Sequence, residues 1–422
     1  MSLLGRLWRS LPPAARREAL FSTMAALAPR PSPAPPPLPD ARLPVTVAGY
    51  FGAPTGLGEG ARRLADMLEA AGAEVVRADL TGPLRQGPKG PPPRVPEGPG
   101  TLLMHVNGPM LPWGMFALGR RAVAGKRVIG FWNWELPVLP ADWGRGYRFV
   151  HGIWASSRFV AGAVARPGGG PPVAVVPYPV PDPDPAPLGR AAFGLPEGAF
   201  VALTVFDASS TPERKNPLAA IRAHAMAFGD RPDRLLVVKT HSTATAGPAW
   251  REVAEAAAAQ PNVRLLDQEM TRAELWALER AADLFVSLHR SEGVGLSLAE
   301  AMRLGRPVLA TGWSGNMDFM DAGSAALVGY RLVPAADARG VYSVPGAVWA
   351  EPDLGEAASW LRHLAEDPAL RTGLAERGRD RVAGLTLPLC GRHALRLLLE
   401  GGGGGSPRGW TSAGRSPRPP PD

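Results

Sequence analysis

The sequence predicts an α/β protein with two parallel-sheet domains separated by a proline-rich segment. Apolar, β-branched strand candidates alternate with helix candidates on both sides of residues 177–187 (PYPVPDPDPAP). That alternation is typical of parallel sheets covered by helices on both faces. Because six of those eleven residues are proline, the segment is neither a helix nor a central strand, and it marks a domain boundary. We therefore expect two Rossmann-like, doubly wound domains facing a cleft, with ligands at the carboxyl ends of the strands.

Before the boundary, the first strand leads through a glycine-rich loop into a helix predicted over about 61–71. Five strands are predicted there: Val45–Tyr50, Glu74–Ala78, Thr101–Val106, Arg127–Trp132 and Gly152–Ala155. Five more follow the boundary: Phe200–Phe206, Arg234–Thr240, Asn262–Leu266, Asp283–His289 and Pro307–Ala310. Helices are predicted between these later strands, over 217–228, 248–259, 271–280 and about 296–304, the third entered through a Thr271–Glu274 capping box.

Composition then divides the 422 residues into five segments. They are a basic, proline-rich tail and linker (1–40), two Rossmann-like domains (41–185 and 186–383), a C-terminal helix (384–400) and a tail (401–422). The glycine, serine and proline of the last segment predict disorder.

The net charge of +8 is concentrated at the two ends of the chain, and residues 41–400 carry only +3 of it. No basic stripe interleaved with aromatic residues is found between the tails, so nucleic acid is not an expected partner. The single cysteine, Cys390, excludes an internal disulfide and a CxxC-type zinc site, which suits a reducing, cytoplasmic location. No apolar run approaches the roughly 18 residues of a membrane span, and no signal peptide is expected.

The N-terminal segment 1–28 combines arginines with apolar residues at helical spacing. Leu3, Leu4, Leu7, Trp8 and Leu11 recur beside Arg6 and Arg9. A basic amphipathic helix of this kind binds anionic membrane surfaces. The segment is therefore a candidate peripheral membrane contact on the cytoplasmic face, and a frayed tail is the alternative.

The first candidate site is the run Gly52–Arg62 (GAPTGLGEGAR), which joins the first strand to the first helix. Glycines let the backbone approach a ligand closely, and a helix N-terminus favours phosphate. Asp79 lies about twenty residues further on, where a dinucleotide site has an acid for the ribose. A tight turn without a ligand is the alternative.

The second candidate is Phe131–Pro137 (FWNWELP), at the end of a predicted strand. Tryptophan rings stack on the apolar faces of sugars, and the Glu135 carboxylate suits sugar hydroxyls. The alternative is a packed aromatic corner with Glu135 at its rim.

The third candidate is Arg214–Lys215, just before the first helix of the second domain. Two cations and a helix start would neutralise a diphosphate, and Lys239, near the end of the next strand, is a candidate third cation. A solvated basic dipeptide and a surface lysine are the alternatives.

The fourth and most specific candidate is His289–Met302 (HRSEGVGLSLAEAM), where a strand, a glycine turn and a helix follow one another. It places Glu292 in the turn and Glu300 on the helix. The amides of Gly293, Val294 and Gly295 suit phosphate or sugar oxygens. No His, Asp and Glu spacing in the sequence makes a metal site.

Taken in this order, the four elements resemble GT-B glycosyltransferases of the retaining glycosyltransferase family 4 type. The resemblance covers roughly 45–400; it is most specific at Glu292–Glu300 and looser in the first domain. It implies a nucleotide-sugar donor held mainly by 186–383, a glycan or lipid-linked acceptor in 41–185, and a helix 384–400 that crosses back to the first domain. Hexosyl transfer in polysaccharide biosynthesis, with no cofactor or bound metal, is the implied activity.

The resemblance also implies roles for single residues. Lys215 and Arg214, joined by Lys239, would bind the donor diphosphate, and Glu300 would bind the nucleotide ribose. Glu292 and the loop Gly293, Val294, Gly295 would hold the donor sugar. Across the cleft, Gly58, Glu59 and Arg62 would approach the diphosphate.

Two positions depart from the family pattern. Many members have an arginine where this chain has Ser209, and a histidine at the strand end that is Trp132–Glu135 here. We therefore expect Glu292, Lys215 and, in place of the histidine, Glu135 to carry catalysis. The acceptor hydroxyl would attack from the leaving-group side, its proton passing to the departing phosphate, so that catalysis rests on positioning and on stabilising the diphosphate charge.

Three other classes of protein remain open at this stage. An NAD-dependent oxidoreductase would use Gly56–Gly60 and Asp79, but it leaves Arg214–Lys215 and Glu292–Glu300 unexplained. A sugar-nucleotide epimerase of the same fold would need the donor site but no acceptor. A non-catalytic member would bind a glycan or a partner only, which the two departures favour and the intact Glu292–Glu300 pair opposes.

Overall fold

The computed structural model describes residues 12–34, 44–88, 90–166 and 168–400. The predicted apolar helix face at Leu3–Leu11, residues 35–43 before the first domain and the 401–422 tail lie outside these residues. The first described helix, α1 (Pro13–Leu27), was not predicted. Its Phe21 ring packs edge-on against Trp113 at 6.0 Å, and Arg17 pairs with Asp142 at 3.0 Å. Part of the 1–28 segment is therefore a helix docked on the first domain.

The first sheet has six parallel strands in the order β2–β1–β3–β4–β5–β6. They are β1 (Val45–Gly49), β2 (Val75–Asp79), β3 (Gly100–His105), β4 (Lys126–Trp132), β5 (Gly152–Ala155) and β6 (Val173–Val175). Helices α2 (Gly56–Ala70), α3 (Leu111–Leu118), α4 (Arg120–Val123) and α5 (Arg158–Val164) connect them. Strands β1, β3 and β4 are almost entirely buried, which is why most of their residues are apolar.

The second sheet also has six parallel strands, in the order β9–β8–β7–β10–β11–β12. They are β7 (Phe200–Val205), β8 (Arg234–Thr240), β9 (Val263–Asp267), β10 (Leu284–Ser287), β11 (Val308–Thr311) and β12 (Ala326–Val328). Counted from β7, this order is 3-2-1-4-5-6, that of the Rossmann fold. Its helices are α6 (Pro212–Lys215), α7 (Pro217–Phe228), α8 (Pro248–Ala258), α9 (Arg272–Ala281), α10 (Leu296–Arg303), α11 (Leu354–Glu366) and α12 (Pro368–Val382).

Several elements of the second half were not predicted, among them β12 and the helices α11 and α12. An antiparallel hairpin, β13 (Tyr330–Pro334) and β14 (Val348–Pro352), was also missed. Strand β13 is partly exposed and includes Arg331, and the mostly buried β14 includes Glu351, so neither has the continuous apolar run that marks a buried parallel strand.

Helix α2 begins at Gly56, five residues before its predicted start. The Thr55 hydroxyl accepts a hydrogen bond from the Gly58 amide at 3.2 Å and caps the helix. The glycines expected in a loop therefore form the first helical turn. Tertiary packing selects them: a Cβ at Gly58 would overlap the carbonyl oxygen of Ala53, and one at Gly60 would lie 2.6 Å from the Tyr178 hydroxyl.

The last helix, α13 (Leu387–Glu400), lies against α2 of the first domain. A side chain at Gly391 would overlap the Met67 carbonyl oxygen, so the two helices touch through backbone. By length and composition, one described segment, Pro368–Glu400, suits a membrane-crossing helix, with mean hydropathy 1.2. It folds as α12 and α13 separated by a turn, and Leu397 and Leu398 are buried in the protein core.

Candidate functional site

The two sheets present their carboxyl ends to each other. Strand order reverses between β1 and β3 in the first sheet and between β7 and β10 in the second, and ligands of such folds bind at these points. The loop after β7 carries Arg214 and Lys215, and the loop after β10 carries Glu292. The Ser157 hydroxyl, following β5, donates to the Gly293 carbonyl at 2.6 Å, so the domains touch beside these residues.

The loops after β7 and β10 build a buried ion cluster. Lys215 Nζ lies 2.5 Å from Glu292 Oε1, and Arg214 Nη1 lies 3.2 Å from Glu292 Oε2. Arg214 also donates to the Ser291 carbonyl at 2.8 Å and to the Ser210 hydroxyl at 2.9 Å. Glu292 therefore pairs directly with both cations, and the Glu135 carboxylate lies close enough to act on the charges of both as well.

A left-handed residue directs the two cations to this point. Asn216 adopts φ 54° and ψ 47° between the single turn of α6 and the start of α7. Asparagine tolerates this conformation better than most residues, and its side-chain amide donates to the Leu288 carbonyl at 3.0 Å. The kink holds Arg214 and Lys215 against the loop after β10.

The electrostatics of the cluster follow from its burial. Burial alone would raise the pKa of Glu292, but the charges of Lys215 and Arg214 outweigh it and lower that pKa to about 2. Burial lowers the pKa of Lys215 despite the neighbouring carboxylate. Glu292 is therefore an anion throughout the physiological range, suited to charge stabilisation and to accepting hydrogen bonds.

The glycines beside Glu292 occupy the narrowest part of the domain contact. Gly295 has φ +84° at the start of α10, and a Cβ at Gly293 would lie 3.1 Å from the Trp134 carbonyl oxygen. A Cβ at Gly315 would overlap the Gly293 carbonyl. Gly293 therefore lies at the contact between the two domains.

Glu135 reaches across to the second domain. Its side-chain oxygen accepts a hydrogen bond from the Tyr342 hydroxyl at 3.1 Å, and its carbonyl accepts one from Ser291. Trp132 is completely buried, and the Trp134 ring packs on Tyr342 at 5.5 Å. The tryptophans thus form the packed aromatic corner that was the alternative for this segment, with the Glu135 side chain at the domain contact.

A second ion network crosses the cleft at Glu300. Arg63 pairs with both Glu300 and Glu59, the latter at 2.8 Å. Arg272 lies 3.0 Å from Glu300 and 2.7 Å from Glu59, and Arg62 lies 3.2 Å from Glu59. Burial opposes ionisation of Glu59, but the arginine charges outweigh it and lower its pKa. Glu300, the carboxylate predicted to bind the ribose, therefore pairs with two arginines in this structure.

Two predicted donor-binding residues make other contacts. Lys239 Nζ donates to the carbonyls of Thr240 at 2.9 Å and Gln268 at 2.6 Å, so the structure does not bring it onto the Glu292 cluster. The Gly58 amide is bound by the Thr55 hydroxyl and is not available to a phosphate here. In both residues a hydrogen bond within the same domain already uses the nitrogen that was expected to bind the donor. The position of a residue in a sequence motif does not reveal such a bond.

The sequence analysis missed Arg63, Arg272 and Tyr342. Arg63 follows Glu59 by four residues on α2, the spacing of a helical ion pair, so a signal existed for it. Arg272 and Tyr342 carry no such signal. Asp79, the acid of the dinucleotide alternative, accepts from the Thr81 amide at 2.9 Å and closes a local turn.

Among residues 12–34, 44–88, 90–166 and 168–400, no group of three or more His, Cys, Asp or Glu side chains is arranged to hold a metal ion. The arrangement offers instead two cations and a shared carboxylate at the contact between the two domains. It can bind an anionic group and a polyhydroxyl ligand together.

Comparison with known proteins agrees with this geometry. Residues 212–343 match the family "Glycosyl transferases group 1", and this match includes Arg214, Lys215 and Glu292. No curated protein matches the chain. Residues 212–343 are thus similar to a glycosyltransferase group 1 domain.

Solved structures share the two-sheet fold. A glycosyltransferase from Rickettsia africae aligns at TM-score 0.61 and 14% identity, covering 84% of this chain and 97% of its own. Anabaena Alr3699/HepE, solved in complex with UDP and glucose, aligns at 0.59 and 14%, covering 85% and 100%. TarM aligns at 0.50 and 12%, covering 71% of this chain, which spans about half, 54%, of the length of TarM. These likenesses confirm the predicted fold, a GT-B arrangement of two Rossmann-like domains.

Proposed function

We propose that this protein is a glycosyltransferase that moves a sugar from a nucleotide-sugar donor to an acceptor hydroxyl with retention of configuration. The observation that carries the proposal is the Arg214–Lys215–Glu292 cluster. It lies at the strand-order reversal of the second sheet and inside the matched domain. Two adjacent cations at this position suit the negatively charged phosphate groups of a diphosphate.

In the proposed reaction, Lys215 and Arg214 neutralise the charge that grows on the leaving diphosphate. Glu292 accepts hydrogen bonds from the donor sugar together with the Gly293–Gly295 segment. The acceptor hydroxyl attacks from the leaving-group side, forming the new glycosidic bond as the sugar–phosphate bond breaks, and its proton passes to the departing phosphate oxygen. Catalysis rests on positioning and charge stabilisation, so no enzyme nucleophile and no metal are required.

The ribose is proposed to bind Glu300. Because Arg63 and Arg272 occupy this carboxylate, donor binding would replace at least one of them with the ribose diol. Uridine is the first base to test, since Alr3699/HepE, which shares the fold, was solved with UDP and glucose.

A glycan or lipid-linked acceptor, a role in polysaccharide biosynthesis and a cytoplasmic location complete the proposal. Residues 1–28 are the proposed membrane contact, and helix α1 within them docks on the first domain. Deleting only residues 1–11 would leave that helix in place. The truncated protein should then float less with anionic vesicles than the full chain, and equal flotation of the two proteins would exclude the membrane contact.

The test is isothermal titration of the protein with UDP, GDP, ADP and NAD, in buffer containing EDTA. We expect one nucleoside diphosphate to bind, and binding to be lost in Glu300→Ala but kept in Glu255→Ala, an exposed glutamate on α8. Binding of NAD alone would overturn the proposal in favour of an oxidoreductase. Binding of a nucleotide without sugar transfer to any acceptor would favour a non-catalytic member.

A further inference from the structure

The loop between β13 and β14, residues 335–347, covers the Arg214 side chain. The Tyr342 ring centre lies 5.6 Å from the Arg214 guanidinium carbon. Tyr342 is 7% exposed and Arg214 only 3% exposed. A diphosphate therefore has no open path to Arg214 while the loop keeps this position.

The loop is held to the segment that carries the cations. Arg339 donates to the Ser209 carbonyl at 2.5 Å and to the Thr211 hydroxyl at 2.9 Å. The Ala338 amide donates to the Glu213 carboxylate at 3.0 Å. These contacts fix the first part of the loop on the chain that leads into Arg214.

The tip of the loop contacts the other domain. Tyr342 donates to the Glu135 carboxylate at 3.1 Å, and its ring lies 5.5 Å from the Trp134 ring. Burial keeps the pKa of Tyr342 above its usual value despite the nearby Arg214 charge, so its hydroxyl remains a donor at neutral pH. One side chain thus touches the cation site and the first-domain carboxylate together.

Two glycines bracket this tip. Gly340 has φ +71° and Gly346 has φ +75°, and a Cβ at either would meet no atom within 4 Å. Positive φ, not crowding, therefore favours glycine at both positions. The Asp337 carboxylate accepts hydrogen bonds from the amides of Val341 at 3.1 Å and Tyr342 at 2.6 Å. Once these two bonds break, residues 341–345 would turn about the two glycines while Arg339 stays attached.

We propose that residues 341–345, the tip of this loop, form a lid on the donor site and that Tyr342 is a positioning residue. The lid moves to admit the donor diphosphate to Arg214. It then returns, and the Tyr342 hydroxyl orients the Glu135 carboxylate toward the donor sugar. This inference rests on the proposed function.

The two roles of Tyr342 are separated by two substitutions. Tyr342→Phe keeps the ring and removes the hydroxyl, so kcat should fall about tenfold to a hundredfold while the donor KM changes less than about threefold. Tyr342→Ala also removes the cover, so the nucleotide should associate about tenfold faster in addition to the loss of kcat. Tyr330→Phe, in the same hairpin, is the matched control, since the Tyr330 ring packs on Trp313 at 5.4 Å outside the cation site.

The experiment combines stopped-flow association of the nucleotide found by titration with steady-state kinetics of the full chain. Glu135→Gln, alone and with Tyr342→Phe, completes a double-mutant cycle, and the two losses in kcat should not add. Unchanged kcat in Tyr342→Phe, or an unchanged association rate in Tyr342→Ala, would overturn the lid while leaving the proposed function intact. Failure of the wild-type chain to bind any nucleotide would overturn the proposed function, and the lid with it.

Discussion

Replacing Glu292 by glutamine tests the charge pairing of the cation cluster. The change keeps the shape of the side chain and removes its charge, leaving Arg214 and Lys215 without the carboxylate that lies 3.2 and 2.5 Å from them. Glu292 is 7% exposed. Removing one partner of a buried pair typically costs about 3–5 kcal/mol, because the remaining charge stays buried.

The pKa of Glu292 gives an independent magnitude and a pH window. That pKa falls from 4.5 to about 2 on folding, which corresponds to roughly 3 kcal/mol. A lowered folded-state pKa stabilises the protein above the unfolded-state pKa, and the contribution is lost as pH falls through the folded-state value. The wild-type advantage over Glu292→Gln should therefore be about 3 kcal/mol at pH 7 and shrink between about pH 5 and pH 2.

Urea unfolding, followed by tryptophan fluorescence at several pH values, measures this difference in the free energy of unfolding. Glu255→Gln is the control, since this exposed glutamate should show no such difference at any pH. A penalty for Glu292→Gln of equal size at pH 7 and pH 3 would refute the charge argument and point to a loss of packing. No penalty at pH 7 would refute the pairing itself.

Two further predictions concern the contacts between domains. Gly391→Ala should lower the free energy of unfolding by about 1–3 kcal/mol, because its methyl group would overlap the Met67 carbonyl oxygen. Gly384→Ala is the control, since a Cβ at Gly384 would meet no atom within 4 Å. Equal stability of the two variants would contradict the close contact between the helices. Arg63→Met should open the cleft by removing the buried cation shared with Glu300, and a larger radius of gyration in small-angle X-ray scattering would show it. An unchanged radius would mean that this ion pair does not hold the domains together.

Local patterns accounted for most of the secondary structure. The predicted strands Gly152–Ala155 and Arg234–Thr240 and the helix over 217–228 have the bounds found in the structure. Buried parallel strands are recognisable because both faces must be apolar. The start of α2 was predicted too late because glycine is a poor helix former, and the Thr55 cap and close packing outweigh that preference.

Part of the candidate site could also be predicted from these local sequence patterns. Arg214, Lys215 and Glu292 follow two strands that pair in parallel, and the carboxyl ends of such strands meet at one edge of the sheet. Their proximity therefore follows from the order of elements. Lys239 also follows a strand, but the carbonyls of Thr240 and Gln268 bind its ammonium group.

The sequence by itself determined the two parallel sheets and the positions of Arg214, Lys215 and Glu292 after the two strands at which the order of the second sheet reverses. All of these depend on residues within one strand–loop–helix unit or on neighbouring units. The tertiary structure alone decided that Arg63 forms an ion pair with Glu300 and that Tyr342 covers Arg214 and donates a hydrogen bond to Glu135. The partners Arg63 and Glu300 are 237 positions apart, and Glu135 and Tyr342 are 207 apart. Their pairing depends on how two separately built domains dock, and no local periodicity encodes that.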